Sequence, residues 1–346
     1  FSRDIFAGEL VVRMPLYTGG RLTSEIEAAE LLRQAAEHRL ARSRQELVFN
    51  VSSVFYSILA QGKVIESLEF SQKALGEHLK QVDNLIAAEK AARVDRLRTE
   101  VRLADLQQRL VREKSVLKIQ GLVLANLLGL PEESPPVSTA GRLESESSPP
   151  RPLEASLDDA YQQREDYLAA KAALDAQSKA VDAARAGHLP TVSLVGSYGE
   201  RWTPDASERP PGASTSDDVG VVGVTAEIPL FEGGQIDARV RQEQARLSAA
   251  RHRLRELKLR VRLDVETAIS NVQSAHERIL ATETAVTSAD ESLRIEREKY
   301  DIGKGSITDV LDAQSALLDS QTNYYRAMAD YSTALAQVRL AVGEQT

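Results

Sequence analysis

Pro15-Leu16-Tyr17-Thr18-Gly19-Gly20 and Pro229-Leu230-Phe231-Glu232-Gly233-Gly234 are two versions of one element, set 214 residues apart in a chain of 346. Reading outward at that fixed offset, Ala35-Ala36 meets Ala249-Ala250, Arg39-Leu40 meets Arg253-Leu254, and Val51 meets Val265. Further on, Leu79 meets Leu293, Asp95 meets Asp309, Leu97 meets Leu311, Leu103 meets Leu317 and Gly129 meets Gly343. Shared heptads would align apolar columns, but not the Pro-Leu-aromatic-x-Gly-Gly element and the closing glycine as well. The chain therefore reads as a duplication. A first repeat covers 1–129, a Pro/Ser-rich linker 130–152 and a second repeat 153–343.

Each repeat presents its elements in one order. An alternating strand comes first: Leu10, Val12 and Met14 against Val11 and Arg13 in the first repeat, Val219 to Ile228 in the second. The Gly-Gly pair breaks the chain, and a long proline-free helix follows, 21–85 and 235–299. Its apolar column steps by four and three: Val51, Val54, Ile58, Ile65, Leu68, Leu75, Leu79 and Val82, with Gln61 and Gln72 in the gaps. The second column runs Val261, Val265, Ala268, Val272, Ala275, Ile279, Val286, Ala289 and Leu293. A seven-residue period predicts supercoiled helices packed knobs into holes, each roughly 95 Å long at ~1.5 Å per residue. The second long helix turns at Tyr300-Asp301-Ile302-Gly303-Lys304-Gly305-Ser306 and returns over 306–343. The first turns near Ala87 to Arg93, with Glu89 where the second has Gly303, and returns to a stop at Gly129-Leu130-Pro131. Between the repeats, a helix over 153–187 and a strand over 191–200 are expected, the strand opening a β-hairpin over 191–229. By symmetry, the first repeat is expected to carry a matching helix and strand before Phe1.

Composition excludes several classes. With no Cys, there is neither a disulfide framework nor a Cys-based metal site. Lys+Arg 43 against Asp+Glu 51 gives a net charge of −8, a poor match for a nucleic-acid binder. The Arg-rich run from Arg239 to Arg262 is interleaved with Glu243, Glu256 and Asp264, as expected of a solvated helix face. No uninterrupted run of 18 apolar residues predicts a transmembrane helix, which leaves β-strands as the route into a bilayer. Gly303-Lys304-Gly305-Ser306 lacks the leading glycine and the strand of a phosphate loop. The five histidines show no ligand spacing, so no metal, cofactor or catalytic site is expected.

Alternating strands of about ten residues suit a membrane β-barrel, but three cannot close one, and an open edge in lipid leaves backbone groups unpaired. Other chains must complete it. In this arrangement the sequence resembles the TolC-like outer membrane efflux channels over essentially its whole length. The residues carrying the resemblance are the two Pro-Leu-aromatic-x-Gly-Gly elements and Leu189-Pro190-Thr191-Val192-Ser193-Leu194. The tip motif adds Tyr300-Asp-Ile-Gly303, then Asp309-Val310-Leu311-Asp312-Ala313-Gln314, closing at Gly343.

The resemblance implies a mainly α fold with a small membrane β part: duplicated α-helical hairpins forming a coiled-coil α-barrel, and β-hairpins contributing to a trimeric β-barrel in the bacterial outer membrane. It implies a homotrimer whose helical tunnel crosses the periplasm, partnered by a periplasmic adaptor protein, an inner-membrane pump and outer membrane lipid, with no nucleic acid. The product would be a passive, tip-gated export conduit, not an enzyme. The gate candidates carried over by motif are Asp309, Asp312 and Tyr300, with Asp95 as a partner across the hairpins. Gly303, Lys304 and Gly305 are candidates for the adaptor-facing tip, and Gly305 stands where some members place a basic residue. Pro15, Gly19, Gly20, Pro229, Gly233 and Gly234 form the strand-to-helix motif. A second reading of Asp309 and Asp312 is that they only complement the first turn of a helix. The rival class is a periplasmic coiled-coil adaptor or scaffold without a pore, which carries one hairpin and flanking compact β modules.

Overall fold

The computed structural model describes residues 6–89, 92–131, 139–143, 152–202 and 216–344. Most of the 130–152 linker and the loop joining the hairpin strands lie outside the described residues. Two helices dominate, α1 (Arg21–Ala87) and α5 (Gln235–Asp301), each of 67 residues. Both ends of one map onto both ends of the other at the 214-residue offset. Their returning partners are α2 (Arg93–Leu127) and α6 (Ile307–Val342).

The heptad columns are the buried ones. Val261, Val265, Ala268, Val272, Ala275 and Ile279 are all buried on α5, and Ile58, Ile65, Leu68, Leu75 and Val82 on α1. A seven-residue step keeps one narrow stripe turned toward a partner helix along the whole length, so the remaining faces stay open. Leu259 and Leu263 on α5, and Val101, Val111 and Leu122 on α2, are exposed. Gln61 interrupts the α1 column without leaving its amide unsatisfied: its Nε2 donates to the Glu113 carbonyl at 3.1 Å and carboxylate at 2.7 Å. One 18-residue window of α1 reaches a mean hydropathy of 1.2, with 28% of it buried. By length and composition alone this window passes for a span, although it contains no uninterrupted run of 18 apolar residues.

The chain forms two compact units, each drawing on both repeats. One takes Phe1–Arg39 with Asp166–Leu257, the other Leu40–Glu165 with Lys258–Thr346. The first holds a three-stranded antiparallel sheet, β1 (Phe6–Tyr17), β2 (Thr191–Trp202) and β3 (Ser216–Glu227), in the order β1-β2-β3. The helix α4 (Glu165–Arg185) leads into β2. It is tied to α1 by Lys179–Glu27 at 2.7 Å and to α5 by Gln177, which donates to Glu243 at 2.8 Å.

The single helix expected over 153–187 is two in the structure. α3 (Leu153–Gln163) ends at Arg164, whose ψ of 114° is extended. No proline or glycine forces this break; tertiary contacts do. The Arg164 side chain is 2% exposed and its guanidinium pairs with Asp264 of α5 at 2.9 Å. A Cβ on Gly343 would come within 2.8 Å of the Arg164 backbone nitrogen, so the end of α6 presses directly on the break.

The two tip turns share a left-handed residue at matching positions. Gly303 has φ 73° and Glu89, its counterpart, has φ 60°, the left-handed conformation that a side chain disfavours by about 1–2 kcal/mol. Glu89 is the positive-φ residue among the described non-glycines. Glu89→Gly is therefore expected to stabilise the helical unit by about 1 kcal/mol in chemical denaturation. An unchanged or lowered midpoint would show that the Glu89 side chain makes a compensating contact.

Candidate functional site

The strand-to-helix motif is built from backbone conformations that demand glycine. Gly19 and Gly20 have φ 64° and 84°, Gly233 and Gly234 φ 59° and 80°. At Gly19 there is also no room: an added Cβ would lie 2.6 Å from the Leu189 Cβ. The turn then starts each long helix. Thr18 caps α1 by accepting the Leu22 N–H on Oγ1 at 3.2 Å, and the Ala238 N–H reaches the Gly234 carbonyl at 3.0 Å to open α5. Pro15 lies in β1, at the irregularity between Pro15 and Tyr17; Pro229 lies beyond the end of β3.

The register sorts the sheet into two faces. Leu10 pairs with Tyr198, Val12 with Gly196 and Met14 with Leu194; on the other side Leu194 pairs with Val224 and Gly196 with Val222. One face thus carries Leu10, Val12, Met14, Leu194, Tyr198, Val222 and Val224, largely exposed apolar surface with Val222 at 82%, and ends in the exposed pair Glu200 and Asp218. The opposite face mixes Val11, Val195 and Val221 with Glu9, Arg13, Ser193, Ser197 and Thr225. Both outer strands end the sheet, leaving one side of β1 and one side of β3 without a pairing strand among the described residues. Twelve residues at ~3.3 Å each, tilted by about 40°, cover roughly the 30 Å of a bilayer's hydrocarbon core.

At the helical tip, Asp309 and Asp95 occupy the third position of their helices and both act locally. Asp309 Oδ2 accepts the Ser306 N–H at 3.3 Å while Ser306 Oγ accepts the Thr308 N–H at 3.1 Å, a capping box. Asp95 Oδ2 accepts the Ala92 N–H at 3.3 Å, but Ala92 has no side chain to return the bond. Asp312 points elsewhere, to Arg102 of α2 at 3.3 Å. One heptad along, Arg109 meets Asp319 at 3.2 Å, and Arg98 donates to Thr308 at 2.9 Å. This cross-hairpin ladder was not anticipated from the sequence. Arg102 and Arg109 are spaced by seven, as are Asp312 and Asp319, which is the signal that could have shown it.

Tyr300 ends α5 half-buried against α1, where the His78 ring meets it edge-on at 5.5 Å. Burial pushes the Tyr300 phenol up, and the Asp95 carboxylate, which the structure brings close, pushes it further. His78 is held below the ordinary imidazole range by its burial and by the Arg297 charge, against a smaller opposing pull from Asp301. Its Nε2 is buried without a hydrogen-bond partner. Gly305 is demanded by the turn itself: the Lys304 and Gly305 N–H groups both donate to the Lys299 carbonyl, at 2.8 and 3.0 Å, and a Cβ would lie 3.0 Å from the Tyr300 nitrogen. A side chain at this position would have to push the neighbouring turn aside by a few tenths of an ångström. Lys304 lines a shallow groove with Lys299, Asp309 and Asp312.

A family model described as outer membrane efflux protein matches residues 3–130 and 156–344, nearly the whole chain in two segments. The chain belongs to the outer membrane efflux protein family. Outer membrane protein TolC of Vibrio cholerae is 25% identical over 340 residues, covering 98% of this chain and 77% of that protein. TolC of Escherichia coli is 28% identical over 200 residues, covering 56% of this chain and 41% of the relative. Among solved structures, the fold is shared with CusC, at a TM-score of 0.84 and 20% identity over 99% of this chain and 78% of the other. As an outer membrane efflux protein, the chain has a bilayer to receive the apolar face of its sheet.

Two predictions follow from this geometry. Val222→Arg places a charge on the apolar face near mid-strand and should cost about 2–4 kcal/mol of insertion stability in lipid vesicles, whereas Val221→Arg on the opposite face should cost much less. Equal penalties would mean that the faces are assigned wrongly. Because the folded-state pKa of His78 is depressed, its neutral ring contributes stability that is present above the ordinary imidazole value of 6.5 and lost as pH falls through the depressed value. His78→Phe keeps a ring against Tyr300 and removes the titration, so acidification to about pH 5 should lower its melting temperature less than that of the parent. Parallel losses in both proteins would exclude His78 as the acid-sensitive group.

Proposed function

We propose that the chain is one protomer of a homotrimeric outer membrane channel, an export conduit joined at its helical tip to a periplasmic adaptor protein and, through it, to an inner-membrane pump. The observation that carries this reading is the sheet: two edges unpaired among the described residues, and one face apolar over most of its length. In hydrocarbon an unpaired backbone N–H or C=O costs several kcal/mol, so the sheet is stable there only if sibling strands pair its edges and close a ring. The exposed apolar side chains of α2 and α5 make the same demand in water, where neighbouring helices would cover them. Family membership and the fold shared with CusC support the reading. The two family segments follow the two sequence repeats, supporting descent by duplication.

No catalysis is proposed. At the tip, Tyr300 and His78 pack ring against ring, and Asp309 and Asp95 cap their helices. Transport then reduces to a hydrated path and an entrance. The inner residues of the entrance are Asp309, Asp312, Tyr300 and Asp95, and Asp309 also holds the first turn of α6 in shape. Three copies multiply each carboxylate into an acidic ring that favours cations. Opening requires α6 and its partner to part from α2, which breaks Arg102–Asp312 and Arg109–Asp319. These pairs are partly exposed, and such pairs contribute about 0–1 kcal/mol each. They bias the entrance toward closure without locking it.

The double replacement Asp309→Ala, Asp312→Ala is expected to raise single-channel conductance in planar bilayers and to weaken block by divalent cations. Unchanged conductance and block would remove these residues from the entrance. The channel itself is tested by extraction and mass: the protein should require detergent to leave membranes and migrate as a trimer. A monomer that stays in aqueous buffer and passes no current would support a scaffold without a pore instead.

A further inference from the structure

The helical unit of Leu40–Glu165 and Lys258–Thr346 contains a cavity of about 760 Å³ in the first repeat. Its floor comes from Ile58 and Gly62 of α1, Leu117 and Gly121 of α2, and Tyr325 and Met328 of α6. The segment Thr139–Leu143 forms a wall, seated on α1 where Gly141 approaches the Phe55 ring so closely that a Cβ would lie 3.2 Å away. Lys63 and Arg142 stand among the lining residues.

Two features separate this cavity from an ordinary packing gap. Gly62 and Gly121 lie inside long helices, where glycine is the poorest helix former after proline. Neither is there to admit a neighbouring backbone, because a Cβ added at either would meet nothing within 4 Å. The duplication supplies an internal control. At the 214-residue offset Gly62 becomes His276, Leu117 becomes Tyr331 and Gly121 becomes Leu335. In the second repeat these three fill the space. Tyr331 is 1% exposed, the His276 ring lies 6.0 Å from it, and Leu335 packs against the same cluster. The first repeat leaves open what its counterpart packs shut.

The rim has one sign of charge to spare. Lys63 pairs with Glu66 at 2.7 Å on an exposed edge, which holds its ammonium above the ordinary lysine range, and Arg142, the other cation of the lining, opposes this only slightly. Among the described residues no carboxylate stands at ion-pair distance from Arg142. An anionic group between the two cations would relieve their repulsion, while an apolar body would cover Ile58, Leu117 and Met328.

We propose that this cavity is a binding site for an amphipathic organic anion, with the apolar body held over Gly62 and Gly121 and the charged head between Lys63 and Arg142. Its size suits a drug-sized molecule, since ligand pockets run from about 300 to 1,000 Å³. Nothing in this site depends on whether the chain conducts.

The test uses the chain in lipid nanodiscs with anilinonaphthalene sulfonate as the probe and phenylnaphthylamine, which lacks the sulfonate, as its uncharged counterpart. Binding is read as the saturable fluorescence in excess of that from protein-free nanodiscs of the same lipid, which cancels probe dissolved in lipid. The sulfonate probe should saturate at one per chain and lose at least about tenfold in affinity on Gly121→Leu, with a similar loss on Arg142→Glu. Phenylnaphthylamine should be displaced by Gly121→Leu and be indifferent to Arg142→Glu. If Gly121→Leu fails to fold, Gly62→His, which installs the second repeat's own residue, takes its place. Saturable sulfonate binding that survives filling of the cavity overturns the site. Affinity untouched by Arg142→Glu overturns the anionic ligand class and the proposal with it.

Discussion

A backbone hydrogen bond left unmade in hydrocarbon has no water to turn to, and this chain carries two strand edges in that condition. β1 and β3 flank β2, and along the outer side of each no pairing strand stands among the described residues. One face of the same sheet is apolar from Leu10 to Val224, so water is no refuge for it either. The rest of the architecture answers to this constraint. The glycine pairs after β1 and before α5 turn the chain sharply from strand into helix, and Gly19 fits against Leu189 where no side chain could. The helices extend the principle into water, burying one narrow stripe internally and leaving other apolar side chains for neighbours.

Much of this was legible in the residues because repetition and periodicity are strong signals. The α5 column from Val261 to Ile279 could be read from spacing alone, since a heptad step allows only one stripe to be buried. Helix limits were legible wherever glycine or proline marked them, as at Gly234 and Gly303. The break at Arg164 was not, because Glu165 to Arg185 is a good helix sequence and nothing local stops it. The interruption comes from a guanidinium drawn to Asp264 and from Gly343 pressing on its backbone, contacts separated by 100 residues or more along the chain. The end of β3 at Glu227 falls one residue from the expected Ile228, whereas β1 runs on beyond Pro15 to Tyr17, which pairs with Val192 of β2.

At the tip, the motif led to the right neighbourhood and the structure divided the labour there. Ser306-x-x-Asp309 is a capping-box pattern, so the local role of Asp309 was visible in its spacing. The role of Arg102 was hidden, because a charged residue on a helix face looks solvated until its partner helix is placed. His78 was equally silent: only the fold sets its ring on Tyr300. The cavity under Thr139–Leu143 lay half-visible in the duplication, since Gly62 and Gly121 depart from His276 and Leu335 at matching positions. The comparison of copies that revealed the architecture also holds the record of where one copy was emptied.

The heptad spacing of Arg102–Asp312 and Arg109–Asp319 has a mechanical consequence. Two identical contacts one repeat apart behave as a vernier: axial creep of α6 along α2 loses both together and regains one only after a full repeat, about 10 Å. Peeling the helices apart from one end instead releases them in sequence, each step costing a single weak contact. The rungs thus leave the pair stiff to shear and compliant to unzipping.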